Sequence, residues 1–221
     1  MTTARAINKQ KRRERILAEA RMVIARQGFD ALKLRDLADM SGVTVPTIYN
    51  LIGNKEEVLK ALMMGAFADF ESEMEKQPPA PASELPVIMV KTLIRMISRN
   101  EEFYRATGLA SERVETEPGK PENYGFKRVP LRALAGDLCR RALEEGLLKG
   151  DIESESLVEQ IMAQYLIAFR DWVHQIITLA DLEILSLRGF YIPLAADATD
   201  SFRAQLVMQL KALRPSSDTR E

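Results

Sequence analysis

The residues from Leu34 to Lys60, LRDLADMSGVTVPTIYNLIGNKEEVLK, leave this chain few ways to fold. Leu37 and Ala38 fall on the inner face of a short helix, and Gly42 follows Ala38 by four residues. A glycine there supplies the positive φ that a sharp turn between crossed helices requires. Val43, Ile48 and Leu51 then give a second helix a face to bury against the first. Thr44, Val45, Pro46, Thr47, Tyr49 and Asn50 are left on its other face. Pro46 falls in the first turn of that helix, where its missing N–H costs nothing.

This is the spacing of a helix-turn-helix whose second helix enters the major groove of DNA. Small and polar residues at the helix start can approach base edges and phosphates closely. The Tyr49 hydroxyl can donate to a phosphate oxygen, and Lys55, at the head of the next helix, can neutralise one. Taken alone, the Ala38–Gly42 spacing also fits an ordinary helical hairpin with a surface tyrosine.

Charge distribution favours the first reading. The formal net charge of −1 conceals 12 Lys/Arg against 7 Asp/Glu in residues 1–60, and 19 against 25 in residues 61–221. A basic end on an acidic body is the electrostatic footprint of a protein that presents one end to nucleic acid. The tract Lys9-Gln10-Lys11-Arg12-Arg13 adds to that end; by itself it fits a solvated basic helix equally well.

From about residue 10 to 62 the chain resembles the tetracycline-repressor (TetR) family. The resemblance is carried by Gln27-Gly28-Phe29, Leu34 to Ala38, Gly42-Val43-Thr44, Thr47-Ile48-Tyr49, and Lys55-Glu56 with Leu59. It implies that Thr44, Thr47, Tyr49 and Lys55 contact phosphates while Val45, Pro46 and Asn50 face base edges. Three positions depart from the family pattern. Ile52 replaces the usual aromatic, Leu51 the common histidine, and Lys33 the threonine that caps the second helix. Ile52 and Leu51 stay apolar enough to pack. Lys33 cannot cap a helix but can reach a phosphate as a point charge.

Only helices are expected along the chain. Apolar residues at helical spacing mark a helix from about Lys9 to Gln27 that Gly28 stops. After the helix-turn-helix pair, a long helix starts near Asn54 as N-cap and reaches about Lys76, where Pro78-Pro79-Ala80-Pro81 breaks the chain. Further helices are expected over Pro86–Arg99, Glu101–Ala110 and Val129–Glu145, with residues 113–125 as a polar loop. The division expected is a helix-turn-helix domain at 1–60 and a helical body at 61–221, in an all-α fold.

From Leu157 to Ile177 apolar residues recur in pairs at four-residue steps, a stripe wider than one neighbouring helix needs. Leu182 to Ala196 is again apolar, and Pro193 should kink or end it. Two such helices resemble the pair through which the family forms a four-helix dimer interface, with Leu157, Ile161, Leu166, Val173, Ile177, Leu187 and Tyr191 as its residues. The core of a single protomer would use the same pattern. Dimerisation also follows from recognition, since one helix covers too few base pairs for strong discrimination and a two-fold dimer reads two half-sites of a double-stranded operator.

The resemblance further implies a pocket within the body for a small-molecule effector of unknown identity. The ligand would act by favouring one dimer geometry over another. Suitable lining is present in Phe67, Met89, Leu93, Met96, Phe103, Phe126, Tyr165, Phe169 and Trp172, although each is also what a plain core would use. Arg105, Arg132 and Arg170 could hold a ligand carboxylate. His174, the single histidine, has no clustered partners that would make a metal site, and no cofactor is implied.

Composition sets the remaining bounds. With one cysteine, one histidine and no glycine-rich loop, most catalytic constellations cannot be assembled. Cys139 has no partner for an internal disulfide and fits a reducing compartment. Met1 to Arg15 lacks the apolar core of a secretion signal, and no apolar run approaches the roughly 18 residues of a membrane span. The expectation is a cytoplasmic, non-enzymatic, ligand-responsive transcriptional regulator, most simply a repressor. An activator, or an interaction module that has lost specific DNA binding, stays open as an alternative.

Overall fold

The computed structural model describes residues 4–115 and 129–213, which form ten α-helices and no strand. They fall into two compact units. One takes in residues 4–69 and 100–115; the other takes in residues 70–99 and 129–213.

In the first unit, α1 (Ala4–Gln27) is followed by α2 (Leu34–Met40), α3 (Val45–Leu51) and the start of α4 (Lys55–Glu75). Ile16, Ala20 and Ile24 of α1 form an i, i+4, i+8 ridge against Leu37, Ala38 and Ile48, and this small core closes over Val58 and Leu62 of α4. No α1 residue before Ile16 is buried, so its basic first turns stand in water. Asn54 caps α4 as expected, its Oδ1 accepting from the Glu57 amide at 2.9 Å.

The helix α6 (Glu101–Glu115) belongs to this unit. It extends five residues past the expected end at Ala110, so Arg113–Glu115 are helical and the expected loop 113–125 otherwise lies outside the described residues. The segment 111–115, SERVE, contains no helix breaker, and Ser111 caps nothing: its hydroxyl donates back to the Gly108 carbonyl at 2.7 Å. Phe103 packs α6 into the core beneath the Arg21 guanidinium, which lies 4.6 Å from the ring centroid. Arg113 Nη1 donates to Asp30 Oδ2 at 2.6 Å and ties α6 to the α1–α2 connection.

The second unit contains the end of α4 together with α5 (Leu85–Ser98), α7 (Val129–Glu144), α8 (Ser154–Val173), α9 (Leu179–Asp197) and α10 (Asp200–Ala212). The proline run before α5 is pinned at both ends of a short span. Arg141 Nη2 donates to the Ala80 carbonyl at 2.6 Å, and Glu145 Oε2 accepts from the Ala82 amide at 2.8 Å.

One expectation fails in this unit, and one of two alternatives at Pro193 is excluded. The apolar stripe 157–177 is not one helix: α8 ends at Val173, Gln175 takes φ +61°, and α9 begins at Leu179 under a Thr178–Asp181 capping box. Pro193 does not end α9, which runs on to Asp197. Phe190, Tyr191, Leu194 and Asp197, on either side of the proline, are all buried. Their packing outweighs the roughly 3 kcal/mol that an internal proline costs. The helix α10, anchored by Phe202 and Leu206 at i, i+4, was not anticipated from the sequence.

A backbone clasp joins 147–152 to 197–199. Leu148 and Ala198 form an isolated antiparallel bridge, with Lys149 N to Asp197 O at 2.8 Å and Thr199 N to Leu147 O at 2.9 Å. The buried Asp197 carboxylate accepts three more amides, from Gly150, Asp151 and Ile152 at 2.9, 2.8 and 3.0 Å.

Candidate functional site

The turn between α2 and α3 is a Schellman motif. The Val43 amide reaches the Ala38 carbonyl at 2.9 Å and the Gly42 amide reaches Asp39 O at 3.1 Å, with Gly42 at φ +61°. Glycine is therefore favoured where the spacing placed it. Ile48 is fully buried and fixes α3 on the core, which turns the opposite face outward. Thr44, Pro46, Tyr49 and Asn50 are exposed, Val45 and Thr47 half-buried, and Tyr49 keeps 55% of its surface. Six of the eight residues expected to meet DNA are thus together on one short helix and its N-cap. Thr44 and Thr47 share a hydroxyl–hydroxyl hydrogen bond of 2.9 Å, which orients both side chains at the helix start.

Lys33 stands exposed at the N-cap of α2 and makes no capping bond. Lys55, expected at a phosphate, makes contacts within the protein. Its ammonium donates to the Asp30 carbonyl at 3.0 Å and lies 4.5 Å from the Phe29 ring centroid. The lysine therefore fastens the start of α4 to the α1–α2 connection. At the end of α3, Gly53 adopts φ +128°, and a Cβ there would lie 2.8 Å from Glu57 Cβ.

The second unit holds an apolar cavity between its helices. Four of them each present an i, i+4 pair: Met89 and Leu93 of α5, Leu131 and Ala135 of α7, Ile161 and Tyr165 of α8, Ser186 and Phe190 of α9. Phe70 of α4 completes the wall together with Val90 and Met162. About 400 Å³ of space is unfilled, part of it open to solvent, but only about 30 Å³ is wide enough for the centre of a water molecule. The cavity is narrow and partly open to solvent.

Of the residues expected to line a pocket, Met89, Leu93 and Tyr165 do so. Phe103 is core in the first unit, and Phe67 is a half-buried residue of the same unit. Met96 packs on the second unit's core, while the Phe169 and Trp172 rings meet, tilted, at 5.6 Å further along α8. Phe126 lies outside the described residues. The sequence signal for the missed residues was the i, i+4 pairing itself, which periodicity cannot distinguish from core. The three arginines considered for a ligand carboxylate already face acids. Arg105 meets Glu101 at 3.3 Å, Arg132 meets Glu155, and Arg170 meets Asp171 at 3.3 Å. His174 is an exposed C-cap residue of α8.

The residues expected at a dimer interface are mostly used inside the protomer. Leu157, Ile161, Val173, Leu187 and Tyr191 are buried, and Leu166 and Ile177 half-buried. The width of the α8 stripe has a simple cause: α8 packs on both α7 and α9. Large apolar side chains that do face outward are Ile167 at 49% exposure on α8 and Ile192 at 59% on α9. Among the described residues, no three His, Cys, Asp or Glu side chains gather as metal ligands. No described helix is long and apolar enough to cross a membrane.

Residues 16–62 match the sequence model for bacterial regulatory proteins of the tetR family. Solved structures share the fold over most of the chain. A TetR transcription regulator from Haloarcula marismortui aligns with TM-score 0.69 at 14% identity, covering 86% of this chain and 100% of its own. SmeT, the repressor of the Stenotrophomonas maltophilia multidrug efflux pump SmeDEF, aligns at 0.63 and 22% identity, covering 86% and 92%. A gamma-butyrolactone receptor described as ArpA-like aligns at 0.58 and 16%, covering 93% and 98%. No curated protein matches the chain in sequence.

Proposed function

From a chain that carries the tetR-family helix-turn-helix segment within the fold of TetR-family transcriptional regulators, we propose a ligand-responsive repressor. It binds a palindromic operator as a homodimer and is released by a small molecule held in the second unit. The observation that carries this reading is the outward face of α3. Ile48 pins the helix, and Tyr49, Asn50, Pro46 and Thr44 are left exposed to solvent. A seven-residue helix reads only a few base pairs, so two copies are needed for strong discrimination. Ile167 and Ile192 supply apolar surface for that pairing on α8 and α9.

In this reading Thr44, Thr47 and Tyr49 hold phosphates, Lys33 adds a point charge, and Val45, Pro46 and Asn50 approach base edges. Lys55 positions the reading head rather than contacting DNA. Residues 1–60 then serve recognition, and residues 61–221 serve sensing and dimerisation. The effector site is the cavity, and its wall includes Phe70 of α4, the helix that begins at Lys55 directly after the reading head. A ligand that displaces Phe70 thereby acts on that helix. The protein works in the cytoplasm, where operator DNA is. Activation in place of repression, or an interaction role without specific DNA binding, is the competing reading.

The test is fluorescence anisotropy on the DNA flanking the protein's own gene, across a salt series, with Tyr49→Ala and Asn50→Ala beside the wild type. Tight binding that weakens steeply with salt, with both variants impaired, is expected. Asn50→Ala should relax sequence preference, and Tyr49→Ala should weaken all sequences alike. Affinity for selected DNA no better than for random duplex would sink the reading.

A further inference from the structure

Two hydroxyl-bearing side chains border the otherwise apolar cavity, Tyr165 and Ser186, and the Ser186 hydroxyl is unsatisfied. Ser186 is 2% exposed, borders the cavity, and its hydroxyl has no hydrogen-bond partner in the protein. Buried hydroxyls normally find an acceptor, and on a helix the nearest is a carbonyl of the preceding turn. Two others in this chain do so. Thr107 donates to the Phe103 carbonyl at 2.8 Å, and Ser111 donates to Gly108 at 2.7 Å. Ser186 leaves both its donor and its acceptor capacity unused beside unfilled space.

Charge narrows the ligand further. None of the side chains bordering the cavity is an acid or a base of the carboxylate, ammonium or guanidinium kind. The nearest candidates along α7 and α8 are engaged elsewhere, Arg132 with Glu155 and Glu159, and Arg170 with Asp171. A charged ligand would therefore be desolvated without a counter-ion, which is strongly unfavourable. The walls, by contrast, are suited to a hydrocarbon body. Phe70 and Phe190 offer aromatic rings, and Met89 and Met162 are side chains that can re-pack as a narrow cavity widens.

We propose that the cavity takes a neutral, mainly hydrocarbon molecule bearing one oxygen that hydrogen-bonds Ser186, and that it rejects the carboxylate on the same skeleton. This rests on the reading of the cavity as the effector site, and it specifies the chemical class that site accepts.

The experiment is calorimetric titration of the full-length protein with naphthalene, 2-naphthol and 2-naphthoate at neutral pH, without DNA. One added hydrogen bond predicts 2-naphthol binding about five-fold tighter than naphthalene, with 2-naphthoate at least about ten-fold weaker than 2-naphthol. Ser186→Ala should reduce 2-naphthol to the affinity of naphthalene and leave naphthalene unchanged. Its thermal midpoint should equal or exceed that of the wild type, because an unpaired buried hydroxyl has been removed. Ala135→Leu, which fills the cavity from α7, should abolish binding of all three in a protein whose thermal unfolding shows it folded. The proposal is overturned if 2-naphthoate binds as tightly as 2-naphthol, if Ser186→Ala binds 2-naphthol like the wild type, or if none of the three binds up to its solubility. Because no DNA enters the titration, such a failure beside intact operator binding removes the ligand class alone. Failure of the anisotropy test removes the regulator and leaves this binding result standing.

Discussion

Replacing Lys55 by methionine separates two roles that one side chain could serve. The aliphatic stem survives in Met, so packing over Phe29 is largely kept. What is lost is the ammonium, with its 3.0 Å bond to the Asp30 carbonyl and its place 4.5 Å from the Phe29 ring centroid. A charged hydrogen bond contributes about 1.5–3 kcal/mol, and half-exposure puts this one near or below the lower limit. The ring contact adds about 0.5 kcal/mol. The expected loss is about 1.5 kcal/mol, or roughly 3–6 °C in thermal midpoint for a chain of this size. The Leu32 amide, bonded to the Phe29 carbonyl at 3.0 Å within the fastened connection, should exchange hydrogen faster. Operator affinity should fall at every salt concentration while the slope of log K against log salt stays constant. Each phosphate contact contributes about 0.9 to that slope. A variant with unchanged midpoint and exchange, but a slope shallower by about 0.9 per bound copy, would refute the fastening role and restore Lys55 as a phosphate contact.

Other substitutions probe separate parts of the molecule. Gly53→Ala should destabilise by about 2–3 kcal/mol and Gly42→Ala by about 1 kcal/mol in urea unfolding. Both have positive φ, but only the Cβ at position 53 meets Glu57, at 2.8 Å, whereas at position 42 the nearest atom is 3.7 Å away; equal losses would contradict this account. Ile192→Glu should convert the proposed dimer to a monomer in sedimentation at micromolar concentration, because it puts a carboxylate where 59% of an isoleucine is exposed. A dimer of unchanged strength would place the interface elsewhere. Burial pushes the Cys139 thiol up to about 11 from its ordinary 9.0, with Asp197 adding to the shift. The unfolded chain then loses this proton first, so the thiol's contribution to stability is constant below pH 9 and declines between about pH 9 and 11. Cys139→Ser or Cys139→Ala should flatten that part of the stability profile, and the native thiol should resist disulfide reagents at pH 8 until urea is added.

The reading head was legible because its constraints are local. The Gly42 turn, the Asn54 cap and the outward face of α3 each depend on residues within a few positions of one another. Helix spans were also mostly readable, since capping residues and breakers mark them. The end of α8 was not, because residues 157–177 keep an apolar rhythm through a turn that only Gln175, at φ +61°, discloses. The fate of the apolar stripe depended on something no stripe contains, namely how many neighbours the helix has. With both α7 and α9 packed against α8, Leu157 and Val173 went inward, and the outward position fell to Ile167. Ser186 was invisible for the opposite reason. A serine in a helix is unremarkable until the space beside it is known to be unfilled.

The clasp between 147–152 and 197–199 gives α8 and α9 a boundary that is topological as well as energetic. Both helices lie within one loop of chain whose two ends are joined by a bridge and by the three amides on Asp197. Tension applied from α7 through to α10 would pass across that junction and leave residues 153–196 slack until it tore. The same closure means that cutting the chain between α8 and α9 would leave both pieces held at their far ends, so this connection is where new termini could be opened without releasing either helix.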